Sequence, residues 1–107
     1  GGAYSTACGA MVQAARALVR TQFLDVGDDA ERIIEEFRTR FVDTELFFDP
    51  FAKDKFARYL FRNHEEPLTN PSTEDAHRTI EEAQLFIEGA FACYGRISDA
   101  EGTLAGS

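Results

Sequence analysis

The chain has 107 residues, room for one domain and a single core. Apolar residues make up 44% of it, ten of them Phe, which is enough to build that core and excludes a disordered chain. Acidic residues outnumber basic ones 19 to 11, for a net charge of −8, so unspecific binding to nucleic acid or to an anionic membrane is disfavoured.

The first predicted helix covers about residues 3–21. Tyr4, Cys8, Met11, Val12, Ala15, Leu18 and Val19 recur at helical spacing. Ala7, Ala10, Ala14 and Ala17 favour helix and allow close packing. Gly9 interrupts this pattern at a cost of about 1 kcal/mol, and close approach of a neighbouring helix is the expected reason.

A second helix is expected over 28–41. Asp28 followed three residues later by Glu31 reads as a capping box, and Ala30, Ile33, Ile34, Phe37 and Phe41 mark its inner face. The segment VDTELFFDP, residues 42–50, is irregular and aromatic. Pro50 suits a first helical turn, so a third helix is expected over 50–63, with Phe51, Ala52, Phe56, Tyr59 and Leu60 turned inward.

Pro67, Asn70 and Pro71 break the chain before a last helix over 72–97. Its main face is Ala76, Ile80, Ala83, Ile87, Ala90, Phe91 and Tyr94, widened by Phe86, Cys93 and Ile97. Residues 99–107 read as a flexible polar tail. The expected architecture is an all-α, antiparallel up-down bundle of about four helices filling the whole chain as one domain.

Several residues invite a chemical reading. Arg58 and His64 could bind phosphate and move a proton, although His64 also suits a helix C-terminus. Glu74 and His77 form one Glu-x-x-His pair, where a di-iron bundle needs two copies, so no metal site is expected. Asp43, Glu45, Asp49 and Asp54 lack the calcium-loop pattern and read as a solvated rim. A local basic patch, if there is one, draws on Lys55, Arg58 and Arg62. Cys8 and Cys93 read as buried thiols, and an up-down order would make them neighbours. Phe47, Phe48, Phe51 and Phe61 exceed one clean inward stripe and are the candidate interface residues. No signal peptide is read and no apolar run approaches the length of a membrane span, which points to a cytoplasmic address.

The stretches AYSTACGAMVQAARALV and TIEEAQLFIEGAFACYGRI resemble the first and last helices of HEPN-type domains. That resemblance implies an antiparallel helical bundle, often dimeric. Some such domains are ribonucleases with an Arg-x(4–6)-His motif, a spacing that Arg58 and His64 match, with Tyr59 where a polar residue commonly follows the Arg. The stretches EEFRTRFVDTELFFDPFAKDKFARYLFRNHE and IEEAQLFIEGAFACYGR resemble a helical C-terminal extension of bacterial nitrite/sulfite reductase-like proteins. This second resemblance implies a non-catalytic appendage that forms a homodimer or docks on a larger redox enzyme. The sirohaem and iron–sulfur cluster would then belong to the enzyme, because two cysteines are too few for a four-thiolate cluster.

Overall fold

A computed structural model describes the backbone of residues 2–106 and the side chains of residues 2–98. The chain is all-α: α1 (Gly2–Val19), α2 (Ala30–Phe37), a π-helical turn (Arg38–Val42), α3 (Lys55–Glu65) and α4 (Thr73–Gly106). The tail expected over 99–107 lies outside the residues whose side chains are described.

α1 buries Tyr4, Ala7, Met11, Ala15, Leu18 and Val19, the helical stripe that its periodicity dictates. It unwinds where the Thr21 hydroxyl donates to the Leu18 carbonyl (2.6 Å) and Val19 O accepts from the Phe23 N–H (2.8 Å). Gly9 is exposed, and a β-carbon there would meet nothing, so close helix approach is not its reason. That role falls to Gly89 on α4, where a β-carbon would stand 3.1 Å from Phe47 Cζ.

The start of α2 also departs from expectation. Asp29, not Asp28, takes the N-cap position, and its side chain makes no capping hydrogen bond. Asp28 is drawn instead toward Arg16, whose guanidinium also donates to Gly27 O (2.9 Å). α2 passes into the π turn, closed by the Asp43 N–H on Arg38 O (2.8 Å). Glu45 then adopts φ 61°, and the Phe47 N–H bonds Phe41 O (2.8 Å). The chain thereby folds Phe47 back into the core. Phe37 is the hub there, with ring centroids of Phe47, Phe86, Phe41 and Phe61 at 5.2, 5.6, 5.7 and 6.1 Å.

α3 begins at Lys55 rather than Pro50. The Asp49 carboxylate accepts the N–H groups of Phe51 (2.8 Å) and Ala52 (2.7 Å), and Asp49 and Lys53 exchange backbone hydrogen bonds. Lys53 then takes φ 59°. A side-chain acceptor that captures two backbone donors competes directly with the helix, and here it wins. α4 opens on a capping box: Ser72 Oγ accepts the Asp75 N–H (3.1 Å), and Asp75 Oδ2 accepts the Ser72 N–H (3.0 Å).

Helix directions follow from which residues meet. The Leu68 N–H, just ahead of α4, donates to the Tyr4 hydroxyl near the start of α1 (2.9 Å). Further along, Ala14, Ala17 and Leu18 share a cleft with Ile87, Ala90, Phe91 and Tyr94. Residue numbers rise together, so α1 and α4 run parallel. α3 is antiparallel to α4, because Arg62 pairs with Glu82 while Phe56 lies over Gly89. The strict up-down order expected from the sequence is therefore replaced. The non-helical stretch 43–54 acts as a crossover that returns the chain before α3 begins.

Candidate functional site

α1 and α4 enclose a half-open apolar cleft of about 350 Å3. Ala14, Ala17 and Ala90 contribute only methyl groups, which leaves room between the two helices. Leu18 and Ile87 fill the base, and Phe91 and Tyr94 stand at the rim, 75% and 48% exposed. Both rings were expected inside. The parallel pairing of α1 with α4 turns Phe86, Ala90 and Cys93 to the core and leaves Phe91 and Tyr94 on the outer side.

The four candidate interface rings separate. Phe47 is buried against Phe37 and Phe86, so it belongs to the core and not to a surface. Phe61 is half-buried, and the Arg38 guanidinium covers it 4.3 Å from the ring centroid. Phe48 is partly exposed, with Lys53 Nζ 5.5 Å from its ring centroid. Phe51, read from the sequence as both inward-facing and interfacial, is 95% exposed at the tip of the Asp49–Lys53 turn. The two N–H groups that Asp49 accepts, Ala52 first and Phe51 second, hold its carboxyl below the ordinary carboxylate range. The turn is thus locked by hydrogen bonds while it displays an aromatic ring.

The chemically suggestive pairs do not assemble. Arg58 and His64 lie on one helix, about 9 Å apart along its axis and about 120° apart around it. Arg58 pairs with Asp54 (3.3 Å), whereas His64 lies toward α1 beside Cys8 and Asn63. Glu74 and His77 are exposed on the first turn of α4, and no metal-holding group of three or more carboxylate, imidazole or thiol side chains gathers among the described residues. Asp54 is engaged by Arg58 and Asp49 by its own turn, while Asp43 and Glu45 are exposed. Of the suggested basic residues, Lys55 is exposed and Arg62 is drawn inward to Glu82.

Cys93 is buried and donates weakly to Leu46 O (3.4 Å). Burial pushes its thiol up despite the nearby Arg96. Cys8 is half-buried, and desolvation raises it more than its hydrogen bond with Tyr4 lowers it. Cys8 lies beside Leu60, Asn63 and His64 of α3, whereas Cys93 lies against Leu46. The two thiols thus have different surroundings, and both are free.

One polar feature had no signal in the sequence. Glu82 is 8% exposed, and it accepts a hydrogen bond from Arg62 across the α3–α4 contact. This bond raises the Arg62 pKa above its ordinary value. The second Glu82 oxygen has no hydrogen-bond partner among the described residues. A glutamate on a helical sequence pattern reads as solvated, and only the approach of α3 buries this one.

No helix among the described residues is long and apolar enough to cross a membrane. No family model, no curated protein and no solved structure matches the chain.

Proposed function

We propose that this chain is a non-catalytic helical interaction module that dimerises or docks on a larger redox enzyme of the nitrite/sulfite reductase-like kind. The observation that carries the proposal is the open cleft between α1 and α4 with Phe91 and Tyr94 at its rim. Aromatic rings left in water beside an apolar groove are characteristic of surfaces that a partner covers. The exposed Phe51, displayed on a hydrogen-bonded turn, offers a second contact whose ordering cost is met before binding.

The choice of a redox enzyme rests on the resemblance of residues 35–65 and 80–96 to the helical extension of reductase-like proteins, and the HEPN-like assignment rests on the sequences of α1 and α4. In this reading the sirohaem and the iron–sulfur cluster are held by the catalytic part. The divergent directions of Arg58 and His64 give a ribonuclease reading no geometric support. The test is co-elution of this chain with the catalytic part of a reductase-like enzyme. Stable co-elution that Phe51→Ser or Phe91→Arg weakens supports the proposal. Independent elution together with a strictly monomeric chain refutes it.

A further inference from the structure

α1 and α3 border a second cavity, of about 300 Å3, that shares no lining residue with the α1–α4 cleft. Three of its lining side chains carry soft or borderline donor atoms: the Cys8 thiol, the Met11 thioether and the His64 imidazole. Cys8 and Met11 are three residues apart on α1, so they share a helix face with β-carbons about 5–6 Å apart. Met11, the single methionine of the chain, is fully buried, whereas Cys8 is half-buried. The thioether thus belongs to the floor of the cavity and the thiol to its wall. His64, exposed in the last turn of α3, lines the same cavity and makes no ion pair among the described residues. Gly9 is exposed beside it, and even a β-carbon there would meet nothing, so an ion has a way in.

The donor set selects the ion. Zinc, calcium and magnesium are held by carboxylate, imidazole, thiolate and carbonyl groups, and a thioether is not among their usual ligands. Thiolate and thioether together favour copper(I), and imidazole suits copper as a third donor. Charge points the same way. No carboxylate, lysine or arginine lines the cavity, and Val12, Leu60 and Pro67 make much of its remaining wall apolar. An uncompensated charge is costly in such surroundings. On binding, the Cys8 S–H bond breaks, the proton leaves to solvent, and the sulfur donates the electron pair it keeps to the copper. A thiolate and a monovalent ion form a neutral complex, whereas a divalent ion would leave a positive charge behind. No electron is transferred, so no oxidant or reductant is required.

We propose that Cys8, Met11 and His64 form a three-coordinate copper(I) site in the cavity between α1 and α3. The site does not depend on the reading of the chain as an interaction module, which rests on other residues.

Anaerobic titration with copper(I) in competition with the chromophoric chelator bicinchoninate tests it. The wild-type chain should withdraw about one equivalent of copper, and X-ray absorption at the copper edge should show sulfur and nitrogen neighbours together. Cys8→Ser should weaken binding by about 100-fold or more, and Met11→Leu and His64→Ala by about tenfold each. Met11→Leu nearly conserves volume and His64 is exposed, so both variants should keep the wild-type circular dichroism. His77→Ala, at an exposed position on α4, should bind copper like the wild type. Zinc(II) at the same concentration should not displace the copper. A chelator that retains all the copper, a Cys8→Ser variant that binds like the wild type, or zinc that displaces copper would each overturn the proposal. So would Met11→Leu and His64→Ala both without effect, because the copper would then sit on the thiol alone.

Discussion

Phe47 Cζ lies 3.1 Å from the point where a β-carbon on residue 89 would stand, and Phe56 approaches the same point to 3.5 Å. Only glycine lets α4 come this close to the returning aromatic segment. Phe47 cannot withdraw, because Phe37 and Phe86 hold its ring from the other side. Gly89→Val should therefore destabilise the domain by about 2 kcal/mol through overpacking. Gly9→Ala should do the opposite, since its β-carbon meets nothing, and should stabilise by up to about 1 kcal/mol through helix propensity. Urea unfolding of the two variants, followed by circular dichroism, reads both signs.

The aromatic residues should divide sharply in their effect on stability. Phe37 is fully buried at the centre of four other rings, so Phe37→Ala should cost about 3–5 kcal/mol. Phe51→Ser should change stability by less than about 0.5 kcal/mol, because the ring is almost wholly in solvent. Denaturation midpoints at constant m-value would check this. A large loss for Phe51→Ser would mean that the ring packs inside.

The Arg62–Glu82 pair makes an asymmetric prediction. Arg62→Ala leaves the Glu82 carboxylate buried without its cation, and should cost about 1–3 kcal/mol. Replacing both, as in Arg62→Leu with Glu82→Met, should cost less than Arg62→Ala alone, since no buried charge remains. A double variant weaker than the single one would show that the pair stabilises more than its apolar replacement.

Acid should loosen the Phe51 turn before it unfolds the core. The Asp49 carboxyl titrates below its ordinary value because it accepts the N–H groups of Ala52 and Phe51. A carboxyl lowered by folding contributes stability that is present above its unfolded value, about 3.9, and lost as pH falls through the folded one. Asp75, lowered by Ser72, follows the same rule at the start of α4. The protection factors of the Phe51 and Ala52 amides, corrected for the intrinsic exchange rate at each pH, should hold at neutral pH and fall only below about pH 4. Asp49→Ala should abolish that protection at every pH.

The helical content was legible because α1 and α4 keep an apolar period over many turns, and Pro67, Asn70 and Pro71 mark the break before α4. Helix direction was not legible. Periodicity identifies which face is apolar and says nothing about whether two such faces run parallel, so the neighbour relation of Cys8 and Cys93 failed with the up-down order. The late start of α3 was hidden for a local reason. Asp49 could either end a turn or build one, and only its capture of two N–H groups decides. The aromatic surplus over residues 47–61 stood out in the sequence, yet composition could not sort its members. Phe47 went inside because residue 89 is glycine, whereas Phe91 and Tyr94 stayed outside because α1 covers α4 on the adjoining side.

The central claim, that the α1–α4 face is a binding surface, is tested most directly by the ring resonances of Phe91 and Tyr94. These should be followed by NMR as the chain is concentrated and as the catalytic part of a reductase-like enzyme is added. The account predicts that both rings shift or broaden in at least one titration, while Leu24, exposed in the loop between α1 and α2, stays unchanged. Resonances of Phe91 and Tyr94 that hold still in both titrations would contradict it.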